Sequence, residues 1–218
     1  MPKKKRKGSF IVLEGPDKSG KSTQAGLLVR ALLENGMTVV HTREPGGSAV
    51  PLAEAIRSLV LDPAHRVHPL TELLLYEAAR SQHTNELIVP ALSKGAVVVS
   101  ERYALATLAY QGFARHLPIA LVRKLNRIAT GGLTPDLTMI LDIPDSEFRK
   151  RDPDRDYDRL ERESAKFRRE VAQAYRKLSR HEPRTVLLDA KRDASVIHVD
   201  IVRRVGRLLR QELTPVPY

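Results

Sequence analysis

Two glycines, a lysine and a serine in fixed spacing, Gly15-x-x-x-x-Gly20-Lys21-Ser22, carry the clearest chemistry in this chain of 218 residues. The pattern G-x-x-x-x-G-K-[ST] is one that cradles a phosphate chain. Glycine permits backbone angles that a Cβ forbids, so successive N–H groups can turn inward on phosphate oxygens. Lys21 places a positive charge near the β- and γ-phosphates, and the Ser22 hydroxyl is the expected Mg²⁺ ligand. Residues 10–13 (FIVL) read as a buried strand ahead of the loop, and residues 21–34 as a helix behind it. The loop would therefore sit at a helix N-terminus, where the dipole favours an anion. A second charged stretch spans 148–159 (FRKRDPDRDYDR), with Arg149, Arg151, Arg155 and Arg159 beside Lys150. Composition alone reads it as a solvated loop. In the same chain as a phosphate loop, it reads as a lid whose arginines close over the transferring phosphate and exclude water.

The elements that must position these residues alternate between β and α patterns. Strand patterns fall at 10–13, 38–42, 97–99, 137–143 and 186–188. Helical spacing covers 21–34, 52–61, 70–92 (with Pro90 kinking or ending it) and 118–130. Two further helical faces join Leu160 to Phe167, Val171, Tyr175 and Leu178, and Ile197 to Ile201, Val205 and Leu208. Arg43 to Ser48 reads as a loop, and 101–111 as a charged interruption. Strands that are apolar on both faces and alternate with helices imply an α/β fold, a five-stranded parallel sheet flanked by helices in a three-layer sandwich. The expected organisation is a disordered basic tail at 1–8, one domain over 9–212 and a C-terminal tail at 213–218.

Composition narrows the function further. The chain has no cysteine, which excludes disulfides, a thiol nucleophile and thiolate metal sites. No apolar run approaches a membrane span and no secretory h-region follows the basic N-terminus, so a soluble, cytoplasmic protein is expected. The net charge is +11, but five of those charges lie in 3–7 (KKKRK), leaving +6 for the rest. That tail is either a nuclear-localisation peptide or a solvated basic tail. The residual charge suits a cleft for two phosphorylated substrates better than a nucleic-acid partner. The histidines show no metal-ligand spacing.

Six ordered motifs, FIVLEGPDKSGKSTQ (10–24), TREPGG (42–47), ELLLYEAAR (72–80), RY…AYQG (102–112), PDLT (135–138) and DRLE (158–161), resemble thymidylate kinases of the bacterial type, over residues 9–209. The resemblance implies phosphorylation of dTMP to dTDP with Mg·ATP, a flexible lid and a homodimer. It implies that Asp17 contacts the sugar 3′-hydroxyl, that Arg43 and Arg102 grip the acceptor phosphate, and that Tyr76 stacks on thymine while Arg80 hydrogen-bonds to it. Tyr110 would crowd the sugar 2′ position, with Thr107 and Gln111 in the same pocket. Gly15, Lys18, Ser19, Gly20, Lys21, Ser22 and Thr23 would hold ATP together with the lid residues Arg151 and Arg155. Lys21, Arg43, Glu101, Arg102 and Arg159 form the expected catalytic set, and Ser22 and Glu101 the magnesium set.

Three departures stand out. Glu101 replaces the family's usual Asp, Ala104 to Thr107 lacks its Asp-Ser character, and Lys18 replaces a frequent Gly. Lys18 is therefore expected to reach the γ-phosphate alongside the lid. A related nucleotide kinase with another acceptor and a basic nucleic-acid-binding ATPase remain open alternatives.

Overall fold

The computed structural model describes residues 8–47, 49–148, 150–151 and 157–218. The expected basic tail lies outside these residues except for Gly8, and Arg149 and Arg155 of the expected lid lie outside them too.

Five strands, β1 (Phe10–Glu14), β2 (Val39–Arg43), β3 (Val97–Glu101), β4 (Leu137–Asp142) and β5 (Thr185–Asp189), form one parallel sheet in the order β2-β3-β1-β4-β5. All four strand pairings are parallel. Strand alternation explains how the sheet is covered on both sides. On β1, Ile11 and Leu13 pack with Leu28 and Leu32 of α1 (Lys21–Glu34) and with Ile201 and Val205 of α9 (Ala194–Leu209). Phe10 and Val12 face the other way, against Ile88, Leu92 and Tyr103. Every strand ends on a charged residue: Glu14, Arg43, Glu101, Asp142 and Asp189. The carboxyl edge of a parallel sheet is where α/β folds bind ligands, and here the apolar runs give way to charge along that edge.

The remaining helices are α2 (Pro51–Leu61), α3 (Pro69–His83), α4 (Val89–Ser93), α5 (Ala104–Thr107), α6 (Ile119–Ala129), α7 (Asp145–Phe148) and α8 (Ala165–His181). The pattern expected as one helix over 70–92 is broken by a π-helical turn, Thr84–Ile88. Pro90 follows in the first turn of α4, where a missing N–H costs nothing. The stretch expected as an interruption, 101–111, is largely helical: α5 runs into a π-helical segment, Leu108–Ala114. Its amphipathic signal is weak because the polar side chains Thr107 and Gln111 are buried there beside core residues such as Leu108, Ala109 and Tyr110. Leu160 precedes α8 instead of lying on it, yet it packs in one cluster with Phe167, Val171 and Tyr175.

Residues 213–218, expected as a tail, lie against α1 and α9. Val216 is buried in the α1–α9 core, its N–H donates to His198 Nε2 at 3.2 Å, and the Thr214 N–H donates to Asn35 at the end of α1. No helix of the described residues is long and apolar enough to cross a membrane.

Candidate active site

The loop between β1 and α1 is built as its glycines require. Gly15 has φ 138°, and a Cβ there would meet the Leu141 carbonyl oxygen at 2.4 Å. Gly20 caps α1 in the left-handed region at φ 93°. Gly15→Ala is therefore expected to push the loop off β4, raising the KM for ATP at least tenfold and lowering unfolding stability by about 1–3 kcal/mol. Steady-state kinetics and urea melts check both. An unchanged KM would show that the loop tolerates the clash.

Lys21 is buried and turned back into its own loop. Its Nζ donates to the carbonyls of Pro16 (2.7 Å) and Gly15 (3.2 Å) and to Ser19 Oγ (3.4 Å). Burial first, then the Arg102 cation, lowers its pKa to about 7. Ser22 and Thr23 are exposed in the first turn of α1. The Ser22 hydroxyl donates to Glu101 Oε2 at 2.5 Å, and His41 Nε2 lies 3.2 Å from Glu101 Oε1. Burial disfavours the Glu101 charge, but hydrogen bonds from His41 and Ser22 outweigh it and hold the carboxyl below its ordinary pKa. The two residues expected to serve magnesium are thus brought together. A hydroxyl and an ionised carboxylate are the hard oxygen donors that Mg²⁺ takes. Glu101→Gln is expected to raise the Mg²⁺ needed for half-maximal rate about 10–100-fold. A magnesium titration of the rate reads this directly, and an unchanged midpoint would remove Glu101 from the set.

On the other side of the loop lies a cleft. Asp17, Tyr76, Arg80, Arg102, Tyr110 and Gln111 line it, all foreseen from the sequence. Thr107, also foreseen, joins them, as do Arg57 and Asp158. Asp17 and Arg102 are ion-paired, and the Tyr110 hydroxyl donates to Asp17 Oδ2 at 2.8 Å. Arg102 also donates to the Gly15 carbonyl (2.9 Å) and to the Tyr175 hydroxyl (3.2 Å). Burial works against the Asp17 charge, but Arg102, Lys21 and Tyr110 hold its carboxyl below the ordinary pKa. Arg80 is fully buried. It donates to Glu44 (2.7 Å), Glu77 (2.9 Å), Asn126 (2.8 Å), Thr107 (3.1 Å) and the Tyr103 carbonyl (3.1 Å). Its Nη2 donates to the Tyr103 carbonyl and makes no other hydrogen bond among the described residues.

The model of the family described as thymidylate kinase matches residues 13–201. The thymidylate kinase of Halothermothrix orenii is 43% identical over 91% of this chain and 97% of its own length. Those of Symbiobacterium thermophilum (43%, 92% and 94%) and Desulforudis audaxviator (44%, 95% and 94%) are similar. The chain belongs to the thymidylate kinase family.

Several residues of this thymidylate kinase family member sit away from their expected places. Arg159, expected on transferring phosphate, instead donates to Glu72 Oε2 at 2.6 Å and to the Val60 carbonyl at 2.8 Å. A buried carboxylate captures a guanidinium strongly, and the order of residues gives no sign of that partner. Arg43 ends β2 half exposed, facing Glu54 at 3.4 Å, and does not line the cleft. Lys18 turns from the loop toward Phe148 and Tyr157, in the stretch expected to form a lid. Its Nζ lies 4.8 and 4.6 Å from the Phe148 and Tyr157 ring centroids and 3.3 Å from the Tyr157 hydroxyl. Arg151 closes the same seam by donating to the carbonyls of Lys18 (3.2 Å) and Ala190 (2.8 Å).

Sequence reasoning missed three groups. Glu14 is buried at the end of β1, accepting from the Tyr103 N–H and the Tyr175 hydroxyl (2.8 Å each), and burial raises its pKa. Tyr175, expected in the core, ties Glu14 to Arg102. Glu72, fully buried, faces Arg115 and Arg159. A carboxylate closing an apolar strand is a signal that finds Glu14. Glu72 opens the ELLLYEAAR motif, but nothing in the local pattern gives it a role.

Proposed function

We infer that the chain is an ATP-dependent nucleoside monophosphate kinase that transfers the γ-phosphoryl group of ATP to dTMP, giving dTDP and ADP. The observation that carries this reading is that the phosphate loop and the cleft share a wall. Asp17 belongs to the loop, Arg102 binds both Asp17 and the Gly15 carbonyl, and both side chains line the cleft. A donor on Lys21 and an acceptor in the cleft would therefore meet across Arg102.

In this mechanism an oxygen of the acceptor phosphate attacks the γ-phosphorus in line, and the bond to the β–γ bridging oxygen breaks. The attacking oxygen is already anionic, so no general base is needed. The protein supplies orientation and positive charge. Lys21 would leave its loop carbonyls for the donor phosphates. Arg102 would hold the acceptor phosphate, and Asp17 the sugar hydroxyl. Tyr76 lines the cleft, and its ring would stack on a planar base. Ser22 and Glu101 would hold Mg²⁺, which when bound offsets charge on the donor phosphates.

Five large apolar side chains stand exposed on α2, α3 and α6: Leu52, Leu59, Leu70, Leu74 and Ile128. They support a homodimer, the assembly that would cover them. A cytoplasmic location fits these substrates. The decisive test is a coupled ADP-release assay with dTMP, dUMP, dGMP and CMP as acceptors. dTMP is expected to give the highest kcat/KM, and turnover of dTMP no better than the others would overturn the reading.

A further inference from the structure

We infer that Glu72 is a specificity-determining positioning residue, which fixes the end of the Gln111 amide that faces the acceptor base; this rests on the kinase reading above. Glu72 lies in the first turn of α3 with its side chain fully buried. Its Oε1 accepts from Gln111 Nε2 at 2.8 Å and from Arg115 Nε at 3.2 Å. Its Oε2 accepts from Arg115 Nη2 at 3.2 Å and from Arg159 Nη2 at 2.6 Å. An ionised carboxylate has acceptors and no donor, so the Gln111 nitrogen must face it and the Gln111 oxygen must point elsewhere. Gln111 lines the cleft, and its Oε1 accepts no hydrogen bond among the described residues.

Chemical selection follows from this arrangement. Among the groups that line the cleft are an acceptor, Gln111 Oε1, and a donor, Arg80 Nη2. Thymine and uracil carry a donor at N3 and an acceptor at O4, which match both. Cytosine carries an acceptor at N3 and a donor at its 4-amino group, which match neither. A flipped Gln111 would oppose its nitrogen to the thymine N3–H. Sites that leave buried polar groups unpaired reject a ligand strongly. Arg115 and Arg159 also bond the Glu72 carboxylate, and Arg115 reaches Glu163 as well. Glu72 therefore touches no substrate and acts through Gln111.

The test is Glu72→Gln, which keeps the shape but brings a donor of its own, so that the Gln111 amide can turn. The ratio of kcat/KM for dTMP over dCMP is expected to fall at least tenfold, mostly through KM for dTMP. The exchanged pair, Glu72→Gln with Gln111→Glu, again presents an oxygen to the base and is expected to regain part of the ratio. A folded Glu72→Gln protein with the ratio intact within twofold overturns the proposal. A wild-type measurement decides the matter if the variants do not fold. The Gln111 side-chain NH₂ protons, followed by ¹⁵N NMR, are expected to exchange with solvent at least tenfold more slowly than those of free glutamine, and exchange at the free rate overturns it. If wild-type protein shows no preference for dTMP over dCMP, the acceptor assignment fails by itself, while the NMR result still reports how Glu72 holds Gln111.

Discussion

Lys21→Met is expected to lower kcat/KM about 10²–10³-fold, the loss typical of removing one charge-stabilising donor from a transition state. The same change is expected to make the ligand-free protein more stable near neutral pH. The reason is the position of Lys21 among carbonyls, with Arg102 as a neighbouring cation. Its pKa falls from 10.5 in the unfolded chain to about 7 in the folded one. Below pH 7 both states carry the charge, and the full cost of burying it opposes folding. Between about 7 and 10.5 the folded state has released the proton and the unfolded state has not, so stability rises with pH. The slope from this one group approaches about 1.4 kcal/mol per pH unit. Lys21→Met removes the slope, which urea melts from pH 6 to 9 would show. A nucleotide supplies the countercharge that the carbonyls cannot, so ATP binding near pH 8 is expected to take up close to one proton. Calorimetry in buffers of different ionisation enthalpy measures that uptake. An apparent binding enthalpy independent of buffer would mean that Lys21 is charged before ATP arrives.

Arg102→Met is expected to damage both stability and catalysis. Arg102 is the common partner of Asp17, the Gly15 carbonyl, Tyr110 and Tyr175. Removing it strands the Asp17 carboxylate, and breaking a buried pair in this way costs about 3–5 kcal/mol. Asp17 is about a quarter exposed, so solvent reduces the expected loss to about 2–3 kcal/mol. The rate is expected to fall about 10²–10³-fold as well, because the group on the shared wall is gone. Asp17→Asn alone should be milder for the fold, since the remaining amide oxygen still accepts from Arg102. The two losses separate in a double variant. If the stability losses of Arg102→Met and Asp17→Asn add fully, the two side chains are not coupled and the shared wall is an accident of proximity.

The sheet was readable because its strands are apolar on both faces, so a run such as Val97, Val98 and Val99 has no other stable place. Helix α1 was readable at both ends, since Gly20 and the Asn35–Gly36 pair mark where helical backbone stops. The region around Tyr110 was not. Its ring packs against Phe167 and Tyr175 and its hydroxyl bonds Asp17, all far along the chain, and the buried polar residues Thr107 and Gln111 interrupt the apolar pattern beside it. The site was legible in the same uneven way. Residues fixed by local backbone, such as Gly15, Ser22 and Asp17, sit where their spacing puts them. Arg159 differs because which of several carboxylates holds an arginine depends on tertiary packing, and Glu72 won.

Lys18 stands in the left-handed region at φ 60°, a shape that costs an L-residue with a Cβ about 1–2 kcal/mol and glycine nothing. Glycine in place of this lysine would keep the same backbone trace without that cost. Exchange between them is a change of side chain without a change of path. Lys18→Gly would remove the cation beside Phe148 and Tyr157 and leave the loop in its present path.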